Sequence, residues 1–232
     1  MAWQIVEFAD RTALAAAIAA QIVADLERAL AKDGEASLIV PGGTTPVAVF
    51  EQLKATRIAW EKVTIIPCDE RWVAPEHADS NEGLIKRHLM TGVVAKARFI
   101  SLYRPRSTPA KALKEVTKAI ATIGQPFSSV FLGMGEDGHF ASLFPGRAEA
   151  EKALATDLAA SVMVLTEPAK GHRRIGLTLA SLIHCSHVLL AVTGAEKRIV
   201  LDRAIADIGA NIYPIASLLR QQRTPIDIFI GA

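Results

Sequence analysis

A doubly wound α/β fold, with a mainly parallel sheet and helices on both faces, is predicted by three features of the sequence. Short apolar runs alternate with longer stretches of helical pattern. Most runs are apolar on successive residues, which requires a sheet covered on both faces. The residues that carry chemistry gather just after the runs, where ligands bind in such sheets, beyond the carboxyl ends of the strands.

Taken in order, the chain opens on helical pattern at 11–32, with Asp10 or Thr12 as N-cap. Its Ala-rich run at 13–20 could suggest a signal peptide. However, Asp10 and Arg11 precede it without a basic n-region, and Asp25, Glu27 and Arg28 continue it amphipathically. Strands are expected at 37–40, 63–67, 98–101, 129–133, 162–165, 187–192 and 227–230. Helices are expected between them, at 46–56, 80–91, 109–123, 173–183, 195–207 and 214–221. Strand–helix–strand alternation gives right-handed crossovers and a parallel sheet. With 232 residues and neither repeat nor low-complexity linker, residues 1–232 are expected to form a single domain.

Half of the residues are hydrophobic, 22% are charged and the formal net charge is +2, so the chain is globular and its surface has no nucleic-acid or membrane footprint. No apolar run is long enough to span a bilayer. Cys68 and Cys185 stand far apart with no C-x-x-C, which points to a reducing compartment, the cytoplasm.

Four motifs follow strands. "PGGTTP" (41–46) places Gly42, Gly43 and Thr44 ahead of a helix, where unpaired N–H groups and partial positive charge suit a phosphate; an ordinary capped turn is the alternative. "CDERW" (68–72) gathers Asp69, Glu70 and Arg71, which could face a crevice or form a solvated ion pair. Cys68 reads as a small buried hydrophobe. In "GMGEDGH" (133–139) the imidazole of His139 is a natural general base near neutral pH, with Asp137 to orient it; a helix cap and a metal ligand are the other readings. The glycines Gly133, Gly135 and Gly138 are expected to bend the chain around it. Metal is disfavoured, because there is no H-E-x-x-H. Arg173 and Arg174 at one expected helix start, and Lys197 after "TG" at another, oppose the helix dipole and so suggest a bound anion, with surface solubility as the plain alternative.

Together these motifs resemble the 6-phosphogluconolactonase family. "PGGTTP" is similar to its S-G-G-S-T-P loop, "DERWV" to its D-E-R-x-V block and "LGMGEDGHFASLFPG" to its G-x-G-x-D-G-H-x-A-S-L-F-P signature. "SN" at 80–81, "RIGLTL" at 174–179 and "TGAEK" at 193–197 follow in the family's order. The resemblance implies the Rossmann-like, glucosamine-6-phosphate isomerase-like α/β fold. It also implies hydrolysis of 6-phospho-D-glucono-1,5-lactone, with no cofactor and no metal.

Its implied site has His139, Asp137 and Arg71 in catalytic roles. Gly42, Gly43, Thr44, Arg174 and Lys197 would hold phosphate, and Asp69 and Asn81 would bind sugar hydroxyls. Arg174 aligns better than Arg173, although "EPAKGHRRI" is less Pro-rich than the family's usual approach to that arginine. Glucosamine-6-phosphate deaminases resemble the chain in fold but carry A-F-N-E-P after the histidine, where Phe144 here takes the place of their glutamate. A sugar-phosphate sensor on the same fold would be expected to carry an appended DNA-binding module, for which no segment is evident, or to lose its acid/base residues, whereas Asp137 and His139 are intact.

Overall fold

The computed structural model describes residues 2–166, 172–209 and 212–231. In chain order its elements are β1 (Trp3–Phe8), α1 (Arg11–Asp33), β2 (Ala36–Val40), α2 (Thr45–Lys54), β3 (Val63–Pro67), β4 (Asp69–Arg71), α3 (Asn81–His88), β5 (Arg98–Phe99) and α4 (Pro109–Ile120). They continue with β6 (Ser129–Gly133), α5 (Ala148–Ala153), β7 (Val162–Thr166), β8 (Arg173–Leu177), α6 (Leu179–Leu182), β9 (Val188–Thr193), α7 (Ala195–Ala206), α8 (Pro214–Arg220) and β10 (Ile226–Gly231).

Seven strands form one parallel sheet in the order β1-β10-β9-β6-β2-β3-β5. Every residue of β2 and β9 is buried, as continuous apolar runs require. The pleat sends neighbouring side chains to opposite layers. Leu38 and Val40 pack with Ile18 and Ile22 of α1 and Phe50 of α2, whereas Ile39 belongs to the layer that holds Val116 of α4 and Leu218 of α8. The side chain of Asp10 accepts from Thr12 N and Ala13 N, so Asp10 is the cap of α1. Among the described residues no helix is long and apolar enough to cross a membrane.

A second, antiparallel sheet of three strands, in the order β4-β8-β7, corrects several expectations. Residues 162–166 pair here and not in the main sheet. Residues 173–177 are a strand and not the start of a helix, and the helix that follows is only Leu179–Leu182. Residues 174–177 are all buried between the two neighbouring strands, and a Cβ on Gly176 would come 2.9 Å from Leu165 Cδ1 and 3.4 Å from Asp69 Cβ. Strand β1 and helix α5 add to the expected elements. The former is a half-exposed edge strand and the latter a single short helix of six residues.

Candidate active site

The carboxyl ends of β2, β6 and β9, with β4 and β8 of the small sheet, surround an open cleft of about 290 Å³. Gly42, Gly43, Thr44, Asp69, Arg71, Asn81, His139, Arg174 and Lys197 all line it. The structure therefore brings nine of the ten anticipated residues to one wall or another, and the tenth, Asp137, touches His139 directly.

Two helices begin at this cleft without a side-chain cap. Helix α2 starts after Thr44 and α7 after Gly194, and neither start is capped by a side chain of its N-cap residue. By contrast α1, α3 and α4 are capped by the side chains of Asp10, Ser80 and Thr108. Uncapped helix starts present free N–H groups and partial positive charge, the combination that holds an anion. The two starts lie side by side, with Thr45 Oγ1 3.5 Å from Thr193 Oγ1. Lys197, half-buried in the first turn of α7, adds a full charge.

The imidazole is set by the loop that follows β6. Asp137 Oδ1 accepts from His139 N at 3.1 Å and lies 2.5 Å from its Nδ1. Burial pushes the Asp137 carboxyl up, but the hydrogen bonds and charge of His139 outweigh it and hold the group below its ordinary value. Nε2 makes no hydrogen bond among the described residues, so it is the nitrogen available for chemistry. Gly135 is required for this pose, because a Cβ there would sit 2.2 Å from His139 Cε1. Gly138, at φ +74°, turns the chain between the two. Gly133 does not share the expected role: it ends β6, and a Cβ added to it would meet nothing within 4 Å.

Arg174 belongs to strand β8 and not to a helix start, so the dipole argument for it falls. Arg173 is exposed whereas Arg174 is buried and lines the cleft. The residues 167–171 that lead to them lie outside the described residues. Arg174 NH1 donates to Asp69 Oδ2 at 3.3 Å and to Ser142 Oγ at 3.1 Å, and the guanidinium carbon lies 5.3 Å from the Phe144 ring centre. That ring in turn packs 4.3 Å from the imidazole.

Asp69 also accepts from the Ser142 hydroxyl, from Asn81 Nδ2 at 3.3 Å and from the Cys68 thiol at 3.2 Å. With these donors and Arg174 its carboxylate is occupied by protein. Asn81 is similarly engaged: its Oδ1 accepts from Arg71 NH1 at 2.8 Å and its Nδ2 donates to Asp69 O at 2.8 Å. The backbone of Gly42 lies directly against Asn81, since a Cβ on it would fall 1.8 Å from Asn81 Oδ1. Burial, reinforced by Asp69, raises the Cys68 thiol well above its ordinary value, which fits a buried hydrophobe and not a nucleophile.

Sequence reasoning missed Ser142. It stands with Ala141 in a tight turn closed by Leu143 N donating to Phe140 O at 2.8 Å, and both central residues have positive φ, 46° and 64°. Such conformations cost about 1–2 kcal/mol per non-glycine residue. The sequence "FASLF" carries no Gly, Asn or Asp to announce a positive φ. Among the described residues no group of three or more His, Cys, Asp or Glu is placed to hold a metal ion.

Comparison with known proteins bears on the family and the fold. The family model for glucosamine-6-phosphate isomerases/6-phosphogluconolactonase matches residues 9–226. The chain is 38% identical to a 6-phosphogluconolactonase of Pseudomonas putida, covering 96% of this chain and 90% of the relative. It is 37% identical to one of Rhizobium meliloti, covering 96% of each. Among solved structures it is similar to a 6-phosphogluconolactonase from Shewanella baltica, with a TM-score of 0.94 and 33% identity over 98% of this chain and 97% of that one. A monomeric glucosamine-6-phosphate deaminase shares the fold at a TM-score of 0.77 with 15% identity, over 97% of each chain.

Proposed function

The chain belongs to the glucosamine-6-phosphate isomerase/6-phosphogluconolactonase family, and from that premise we infer that it hydrolyses 6-phospho-D-glucono-1,5-lactone to 6-phosphogluconate, a step of the oxidative pentose phosphate pathway. One observation carries the assignment of residues: an aspartate-held imidazole with Nε2 to spare shares a cleft with two uncapped helix starts and Arg71.

In the mechanism, the backbone of Gly42 and Gly43 and the hydroxyl of Thr44 receive the phosphate, with Lys197 and Arg174 supplying charge. This holds C1 of the lactone near His139. Nε2 takes a proton from water as the oxygen attacks C1, while Arg71 stabilises the oxyanion that develops on the carbonyl oxygen. The C1–O bond to the ring oxygen then breaks, and the imidazolium returns its proton to that oxygen. Asp137 keeps the other nitrogen, Nδ1, as its hydrogen-bond donor and so fixes the tautomer. An activated ester needs only a base and an oxyanion site, and the scheme draws on no metal or cofactor.

Asp69 and Asn81 act chiefly by holding Arg174 and Arg71, because their polar atoms are already engaged by protein. Residues 1–232 work as a single sugar-phosphate-binding hydrolase domain. A deaminase reading is not favoured: Phe144 is buried against the imidazole at the position of the deaminase glutamate, and a phenyl ring shuttles no proton.

The test offers purified protein two substrates, fresh lactone and glucosamine 6-phosphate, with spontaneous lactone opening subtracted. Acceleration of lactone opening alone is expected. Ammonia release from the amino sugar without lactone acceleration would overturn the assignment.

A further inference from the structure

Glu70 has no part in the chemistry above, yet its carboxylate accepts four hydrogen bonds beside the cleft. It is fully buried, at 0% exposure. Oε1 accepts from Arg71 N at 2.7 Å and from Asn81 N at 2.8 Å. Oε2 accepts from Glu82 N at 2.6 Å and from the Ser80 hydroxyl at 3.0 Å. Asn81 N and Glu82 N are the first free donors of α3, and the third, Gly83 N, goes to Ser80 Oγ. One carboxylate thus pins the start of α3 onto β4.

The segment it pins carries the acceptors that aim Arg71. Arg71 NH1 donates to Asp79 O at 2.9 Å and to Asn81 Oδ1 at 2.8 Å. These two acceptors flank Ser80, the residue whose hydroxyl Glu70 receives. The guanidinium is therefore placed by a closed circuit, from Glu70 through the 79–82 backbone and back to its own neighbour in the chain.

We propose that Glu70 is a positioning residue for lactone hydrolysis: it holds the start of α3 so that Asp79 O and Asn81 fix the Arg71 guanidinium where the oxyanion forms. This rests on the hydrolase reading and on Arg71 as the oxyanion group. Replacing Glu70 with glutamine keeps the volume but turns an acceptor into an NH₂ donor. In either orientation that donor confronts N–H or O–H groups that need an acceptor. The start of α3 then shifts and Arg71 with it. A displacement near 1 Å at a reacting group costs on the order of 10²-fold.

The test is a double-mutant cycle of Glu70→Gln with Arg71→Ala, read by kcat and KM for the lactone, affinity for 6-phosphogluconate and melting temperature. The expected result is a fall in kcat of roughly 10- to 100-fold for Glu70→Gln, with product affinity within about threefold. In the Arg71→Ala background the same change should cost less than about threefold, because the group it positions is gone. Equal losses in both backgrounds would make Glu70 merely structural and overturn the proposal. So would a wild-type kcat in Glu70→Gln, or a loss confined to KM. Should Glu70→Gln fail to fold, Ser80→Gly removes one donor to the carboxylate while keeping a tolerated cap residue, and the same cycle is read on it. Wild-type protein that opens no lactone would instead defeat the hydrolase reading, so the two failures are distinct.

Discussion

Of the histidines that lie against aspartates, His139 and His187 stand at opposite ends of the same sheet, and they differ in what is left over. His139 follows the carboxyl end of β6 and has one carboxylate, Asp137, on Nδ1. His187 precedes β9, where Asp25 Oδ2 lies 3.0 Å from Nδ1 and Asp227 Oδ2 lies 3.3 Å from Nε2. Ser129, at the first position of β6, donates to the same Asp25 oxygen, so one strand touches both clusters. The side chain of His139 is 33% exposed and that of His187 12%. An imidazole–carboxylate pair is thus no signature of catalysis by itself. The pair at the amino end spends both nitrogens on holding α1, β9 and β10 together, whereas the pair at the carboxyl end leaves one nitrogen without a hydrogen bond among the described residues.

The strongest way to break this contrast is to remove each ring in turn. His139→Asn should lower kcat by about 10²- to 10⁴-fold, the range of general acid–base catalysis by one side chain, while melting temperature and 6-phosphogluconate affinity hold. His187→Asn should do the reverse, lowering the melting temperature with kcat within about threefold of wild type, as its distance from the chemistry requires. Single-turnover lactone opening and a thermal melt on both variants decide the matter. A His139→Asn protein that opened lactone within about threefold of the wild-type rate would remove His139 from the mechanism.

A change that leaves the imidazole in place but moves it should have the next largest effect. The Cβ of Gly135→Ala would sit 2.2 Å from His139 Cε1 and 2.9 Å from Asp137 Oδ1, so the pair must give way. A loss of about 10²-fold in kcat is expected, with no comparable loss for Gly133→Ala, where the added methyl meets nothing within 4 Å. Equal behaviour of the two would show that the ring is not held by close packing on Gly135.

Lys197→Ala should cost less, and only at the phosphate. Losing a charge-assisted hydrogen bond worth about 1.5–3 kcal/mol lowers kcat/KM by about 10- to 100-fold. Unphosphorylated gluconolactone should be opened at nearly the wild-type rate. If both substrates suffered alike, Lys197 would belong with the catalytic groups and not with the anion.

What the sequence made legible follows the same division. The strands of the parallel sheet were readable because burial on both faces leaves continuous apolar runs, as in 37–40 and 187–192. Strand β1 was not, because as an edge it keeps Gln4 and Ile5 exposed and lacks that run. The small sheet was not either: β4 is three polar residues whose partner strand is the distant β8, with Glu70 opposite Ile175, and only tertiary contact makes it a strand. Within the site, His139 and Asp137 were legible because a single glycine separates them. The grip of Glu70 on α3, and the Ser142 hydroxyl between Asp69 and Arg174, arise from pairings that local spacing does not encode.

The smallest expected effect is the pH dependence of stability that His187 contributes. Burial pulls its imidazole down, but the hydrogen bond and charge of Asp25, with Asp227 behind them, outweigh burial and hold it above the ordinary value of 6.5. A group whose pKa is raised on folding binds its proton more tightly in the native state. Its contribution is therefore complete below about 6.5 and is lost as the pH rises through the folded value. Glu70 acts in the same direction but lower on the scale. Burial raises its carboxyl to about 7 against the donors of Glu82, Asn81 and Ser80, so its ionisation costs stability between 4.5 and about 7. Melts above about pH 7 therefore lie beyond the Glu70 contribution and follow the histidine as it loses its proton. Wild-type melting temperature should decline across that window, His187→Gln should stay flatter, and the gap between them should narrow as the pH rises. A gap that widened with pH would mean that His187 is neutral between its two carboxylates, and the amino-end cluster would then be held by hydrogen bonds alone.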